Sequence, residues 1–121
     1  MSKRILAIDD QEDNRRILRD LLAAADYEVI EAVDGEEAVA LAEQHVPDLI
    51  LMDIQLPGID GYEATRRIKA NPALAHIPVI AVTSYALTGD EDKAMEAGCT
   101  AYIAKPFSPR ALLAKVREYL K

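Results

Sequence analysis

Short apolar runs and helically spaced apolar stripes take turns along this chain. Ile5, Leu6, Ala7 and Ile8 form the first run, inside a predicted strand from Arg4 to Asp9 flanked by charge. From Asp13 to Ala25 the apolar positions Ile17, Leu18, Leu21, Leu22 and Ala25 recur at helical spacing. Glu28 to Ala32 reads as a strand with Val29 and Ile30, and its polar content places it at a sheet edge. Asp34 followed by Glu37 has the spacing of a capping box, opening a helix with Ala38, Val39, Leu41 and Ala42 inward. Leu49 to Met52 is apolar without a break, as a central parallel strand covered on both faces requires.

The second half keeps the rhythm. Tyr62 to Ala70 predicts a helix with Tyr62, Thr65 and Ile68 on one stripe. Val79 to Val82, introduced by Pro78, is the next buried strand. Leu87 to Ala97 is a weaker, charge-rich helix with Gly89 inside it, and Gly98 ends it. Ala101 to Ala104 is the last strand. Ser108 and Pro109 then supply the cap and first position of a final helix carrying Leu112, Leu113, Val116 and Leu120. Five strands alternating with five helices imply right-handed crossovers and a parallel α/β sheet with helices on both faces.

In such a sheet ligands bind beyond the carboxyl ends of the strands, where the strand order reverses. The residues at those ends are chemically coherent. The first strand ends in Asp9 and Asp10, the third in Asp53, the fourth in Thr83 and Ser84, and the fifth in Lys105 before Pro106. The edge strand contributes Val33 and Asp34, and Asp34 is accounted for as a helix cap. Three clustered carboxylates repel, so one takes up a proton or a cation neutralises them. An all-oxygen donor set favours magnesium, with calcium or manganese as alternatives. A carboxylate so placed can attack phosphorus and form an acyl phosphate. Lys105 and a metal would supply positive charge to the equatorial oxygens, and Thr83 a hydrogen bond.

Composition narrows the class. A chain of 121 residues, half of them apolar, suits one domain with a core of its own. Its single cysteine, Cys99, makes neither an internal disulfide nor a structural zinc site and fits a reducing, cytoplasmic setting. The net charge of -7 is the wrong sign for gripping a nucleic-acid backbone. The first ten residues read as a strand and not as a signal peptide, and no apolar run is long enough to span a bilayer.

Each residue also has an ordinary reading. Asp9 alone is a helix cap, though one cap leaves the second acid of the pair unexplained. Lys105 alone is a solvated lysine, Thr83 a strand end, Tyr102 and Cys99 core filling, and His45 and His76 surface residues. The signal is joint: every chemical residue falls at the same end of its strand.

Together these segments resemble the bacterial response-regulator receiver domain, in its single-domain form, over essentially the whole chain. The resemblance rests on Asp9-Asp10, on Asp53 within Leu-Met-Asp-Ile-Gln-Leu-Pro-Gly-Ile-Asp-Gly, on Thr83 after Val-Ile-Ala-Val, and on Lys105-Pro106-Phe107. It implies a doubly wound, flavodoxin-like receiver fold with strand order 2-1-3-4-5 across residues 1–121. It implies Asp53 as phosphoacceptor, with a sensor histidine kinase or histidine phosphotransfer protein as donor. Asp10, Asp53 and the backbone carbonyl of Gln55 would hold Mg2+, and Asp9 would act through water. Lys105 would bind the phosphoryl group, and the bond before Pro106 would be cis. Thr83 and Tyr102 would form the switch, with Gln55 and Tyr85 tuning the lifetime of the phosphorylated state. Output would pass to a downstream protein target from a monomer or a phosphorylation-dependent dimer, with catalysis confined to the chain's own phosphorylation and dephosphorylation.

The alternatives differ in what they require. A haloacid-dehalogenase-type phosphatase needs a second acid two residues after the nucleophile, where this chain has Gln55. A flavodoxin-like nucleotide binder needs a phosphate-cradling loop, where this chain has Asp9-Asp10-Gln11-Glu12-Asp13. A degenerate receiver that only binds partners would not need the intact acids and lysine. Met1 and a last helix running to Lys121 read as a stand-alone protein, the alternative being a receiver excised from a hybrid kinase or multidomain regulator.

Overall fold

The computed structural model describes residues 3–83 and 90–120, with the side chains of all of these except residues 90 and 91. Among them, five strands alternate with five helices. The strands are β1 (Arg4–Ile8), β2 (Glu28–Ala32), β3 (Leu49–Asp53), β4 (Val79–Thr83) and β5 (Ala101–Ala104). The helices are α1 (Glu12–Ala24), α2 (Gly35–His45), α3 (Gly61–Ala70), α4 (Asp90–Ala97) and α5 (Pro109–Tyr119). The sheet order is β2-β1-β3-β4-β5, and every pairing is parallel.

Side-chain alternation along the strands divides the core in two. Leu6, Ile8, Ile50, Met52, Val79 and Ala81 point to one face and meet Ala38 and Ala42 of α2, Ala64 and Ile68 of α3, and Ala94 of α4. Ile5, Ala7, Leu49, Leu51, Ile80 and Val82 point to the other and meet Leu18 and Leu22 of α1 with Leu112 and Val116 of α5. β3 and β4 are buried along their whole length, as their unbroken apolar runs require, while β2 at the border is only partly covered.

The caps form as the sequence predicts. Asp34 Oδ1 accepts from the Glu37 amide at 2.8 Å, and Glu37 Oε1 accepts in return from the Val33 amide at 2.8 Å. Ser108 Oγ accepts from the Ala111 amide at 3.0 Å, with Pro109 opening α5. Gly98, after α4, has a φ of +104°, a left-handed backbone that glycine adopts without strain. The expected helix start at Leu87, and Gly89 with it, lie outside the described residues.

One apolar position departs from the expectation. Ile17 belongs to the helical stripe of α1 yet is 57% exposed. The inward arc of α1 centres on Leu18 and Leu22, and Ile17 stands one position round from it. It lines a groove of about 510 Å³ together with Leu18, Val82, Pro106 and Phe107, beside Asp9 and Lys105.

Candidate functional site

The strand order reverses between β1 and β3, because the chain runs from β1 outward to β2 and then returns to the far side of β1. Register pairs Ile8 with Met52, so Asp9 and Asp53 leave the sheet side by side. On the other side of β3, Asp53 pairs with Val82, and Thr83 pairs with Ala104 just before Lys105. The topology therefore delivers the acids and the lysine to one crevice.

Side chains complete that arrangement. Lys105 Nζ donates to Asp9 Oδ2 at 3.0 Å and to Asp53 Oδ2 at 3.4 Å. Asp9 and Asp53 are 1% and 4% exposed, which makes this a buried bridge and not a surface ion pair. Oxygens of Asp9, Asp10 and Asp53 all lie within 4.8 Å of one another, the one such cluster among the described residues. Asp53 Oδ1 accepts from the Gln55 amide at 3.1 Å. Asp9 Oδ1 accepts from the Gln11 amide at 2.9 Å and from Asn14 Nδ2 at 3.4 Å. Gln11, not Asp9, is the N-cap of α1, so helix capping does not account for Asp9.

The local chain is shaped for this geometry. A Cβ on Gly61 would come within 2.3 Å of the Asp53 carbonyl oxygen and 2.7 Å of Ile54 Cα, so only glycine lets α3 begin against the end of β3. The Lys105-Pro106 peptide is cis, as the resemblance implies. Thr83 is buried at the end of β4. Tyr102 is half-buried and packs against the α2–α3–α4 layer. Gln55 is exposed. Tyr85 lies outside the described residues.

The charges do not balance within the protein. Burial raises the Asp53 pKa above the ordinary carboxylate value; the Gln55 amide and Lys105 oppose that rise, and the charge of Asp9 adds to it. Burial also works against the Lys105 ammonium, but the hydrogen bond to Asp9 and the charges of Asp53 and Asp9 outweigh it and raise its pKa. One ammonium shared between two buried carboxylates stays firmly charged while leaving Asp53 undercompensated. A hard divalent cation fits here on donor chemistry: three carboxylates, with neither imidazole nor thiolate in the cluster.

Comparison with known proteins agrees with this geometry. The profile of the response regulator receiver domain matches residues 5–117. The chain belongs to the response-regulator receiver family. This receiver is 47% identical to the polar-differentiation response regulator DivK of Brucella ovis, over 99% of this chain and 98% of that protein. Its fold is similar to the chemotaxis protein CheY4 of Vibrio cholerae, with a TM-score of 0.93 at 28% identity over 98% of this chain and 99% of that one. It is similar also to the receiver domain of the sensor histidine kinase PA1611 from Pseudomonas aeruginosa, with a TM-score of 0.92 at 37% identity over 99% and 98% of the two chains. That domain carries a magnesium ion in its active-site cleft.

Sequence reasoning missed two residues that hold Asp9 in this receiver. Asn14 reaches Asp9 Oδ1, and Arg15 NH1 donates to the Asp9 backbone carbonyl at 2.8 Å. Their positions, five and six after Asp9, place them on the first turn of α1 facing back toward the acids, but a helical stripe drawn from apolar residues leaves them unmarked.

The undercompensated carboxylate has a measurable consequence. Folding shifts Asp53 toward its protonated form, so it adds stability below the unfolded carboxylate pKa of about 4, and that contribution is lost as pH rises through the raised folded value. In chelator-treated buffer, Asp53→Asn is expected to match the parent at acid pH and to be the more stable of the two at neutral pH. Thermal or urea unfolding across that range measures the gap; a gap that closes toward neutral pH would contradict it.

Proposed function

We propose that Asp53 is the phosphoacceptor of a cytoplasmic, single-domain response regulator, receiving its phosphoryl group from a histidine kinase or histidine phosphotransfer protein. The observation that carries this reading is the buried bridge from Lys105 to Asp53 and Asp9 inside a three-acid cluster. Asp10, Asp53 and the Gln55 carbonyl would hold Mg2+, with Asp9 acting through water. Both oxygens of Asp9 are already engaged by Gln11, Asn14 and Lys105, which supports an indirect role for it. When bound, the ion lowers the repulsion among the acids and offsets charge on the phosphoryl oxygens.

The Asp53 carboxylate attacks phosphorus in line with the donor's P–N bond. A P–O bond forms as the P–N bond breaks, and the imidazole leaves with its electron pair. Lys105, held firmly as an ammonium, stays beside the oxygens that gain charge, and the Thr83 hydroxyl donates to one of them. The groove beside Lys105 gives the mouth of the pocket an apolar wall.

The output is a change of contacts. Thr83 moves toward the phosphoryl group and Tyr102 turns inward, a shift between two packings that modification must favour by a few kcal/mol. In receivers the residues two after the acceptor and two after the switch threonine flank the path of a hydrolytic water; here they are Gln55 and Tyr85, neither carries a carboxylate to orient it, and the phosphorylated state is expected to be long-lived. Among the described residues no helix is long and apolar enough to cross a membrane.

Three expected outcomes test this reading. Incubated with acetyl phosphate and Mg2+, the protein gains the mass of one phosphoryl group, and loses that gain in chelator or in Asp53→Asn; a gain that survives either change contradicts the assignment. Tyr85→Glu shortens the half-life of the phosphorylated protein about tenfold or more; an equal or longer half-life rejects the lifetime argument. Tyr102→Ala accepts phosphoryl normally but lowers affinity for a phosphorylation-dependent partner, measured by pull-down with both forms; unchanged affinity rejects the switch.

A further inference from the structure

Arg15 makes an unusual set of contacts for a residue on an outer helix. Its side chain is 14% exposed. NH1 donates to the backbone carbonyl of Asp9 at 2.8 Å, the oxygen of the peptide that joins the two neighbouring acids. Nε lies 3.4 Å from Glu31 Oε1 on the edge strand β2. Arg19 NH1 holds the other oxygen of the same glutamate at 3.0 Å. The Asp9 amide donates to the Ala32 carbonyl at 3.2 Å, so the edge strand and Arg15 grip the Asp9 backbone from both of its polar ends.

A single planar guanidinium thus spans from the edge strand to the Asp9-Asp10 peptide. Peptide planarity couples the direction of that carbonyl to the path of the chain into Asp10. Asp10 is exposed at the rim, while Asp9 is anchored by Lys105, Gln11 and Asn14. Of the three acids, Asp10 therefore depends most on its backbone for its place.

We infer that Arg15, braced by Glu31, is a positioning residue that sets the Asp9-Asp10 peptide and thereby the affinity of the acid cluster for its divalent cation. This rests on the reading of that cluster as a cation site. It makes a prediction of unusual sign. Coulomb's law alone says that deleting a cation near the acids tightens metal binding. Positioning says that it weakens it, since groups that orient metal ligands cost about 10- to 100-fold when removed.

The test is calorimetric titration of the metal-free chain with Mg2+, without any phosphoryl donor. Arg15→Met is expected to weaken binding about tenfold. Arg15→Lys keeps the charge but not the two-armed fork, and is expected to weaken it as well. Arg16→Met removes the same charge from the same helix but loses only an exposed contact to Asp13 at 3.2 Å, and is expected to leave affinity unchanged or slightly tighter. Circular dichroism confirms that each variant is folded under the titration conditions. Folded Arg15→Met or Arg15→Lys binding as tightly as the parent, or more tightly, overturns the inference and leaves the cation site standing. Equal weakening in Arg16→Met also overturns it, because positioning is then not distinguished from loss of helix stability. A parent chain that takes up no Mg2+ overturns both this inference and the cation site.

Discussion

Gathering negative charge in a place water barely reaches is the constraint from which the rest of this structure follows. Asp9 and Asp53 are almost wholly buried, and Asp10 brings a third carboxylate within 4.8 Å. Lys105, 96 residues from Asp9 and 52 from Asp53 in sequence, supplies one compensating charge and shares it between the two acids. Neither propensity nor local capping calls for such a cluster. The cost is met by the parallel sheet, whose register fixes where each strand ends, and by two packed helical layers that hold the register. The residual imbalance fits the pocket to a divalent cation, and the proposed phosphoryl transfer would draw on that charge and on Lys105.

Much of this was legible in the sequence because the relevant signals are periodic or terminal. Unbroken apolar runs at Leu49–Met52 and Val79–Val82 fitted buried strands and the polar Glu28–Ala32 an edge strand, and the structure places them so. Alternation of element types gave the parallel sheet, the resemblance to receivers gave the strand order that the structure shows, and the ends of the strands carried the chemistry. Asp34 and Ser108 announced their helices through spacing alone, and the structure shows both caps made.

What stayed hidden depended on contacts that no period records. Ile17 follows the apolar rhythm of α1 yet stands outside the buried arc, because a helix stripe is wider than the face the sheet covers. Asn14 and Arg15 look like ordinary polar residues of a first turn. Their roles arise only once the turn after β1 folds back and presents the Asp9 carboxylate and carbonyl to them. Gly61 closes the Asp53 motif in sequence, but the reason it must be glycine appears only in the closeness of α3 to the Asp53 carbonyl.

The central claim is that one carboxylate of the three, Asp53, carries the phosphoryl group. Borohydride reduction of the phosphorylated chain converts an aspartyl phosphate to homoserine, and peptide sequencing locates it. The account predicts homoserine at position 53 and nowhere else. Homoserine at position 9 or 10, or a phosphorylated chain with unmodified aspartate at all three positions, would contradict it.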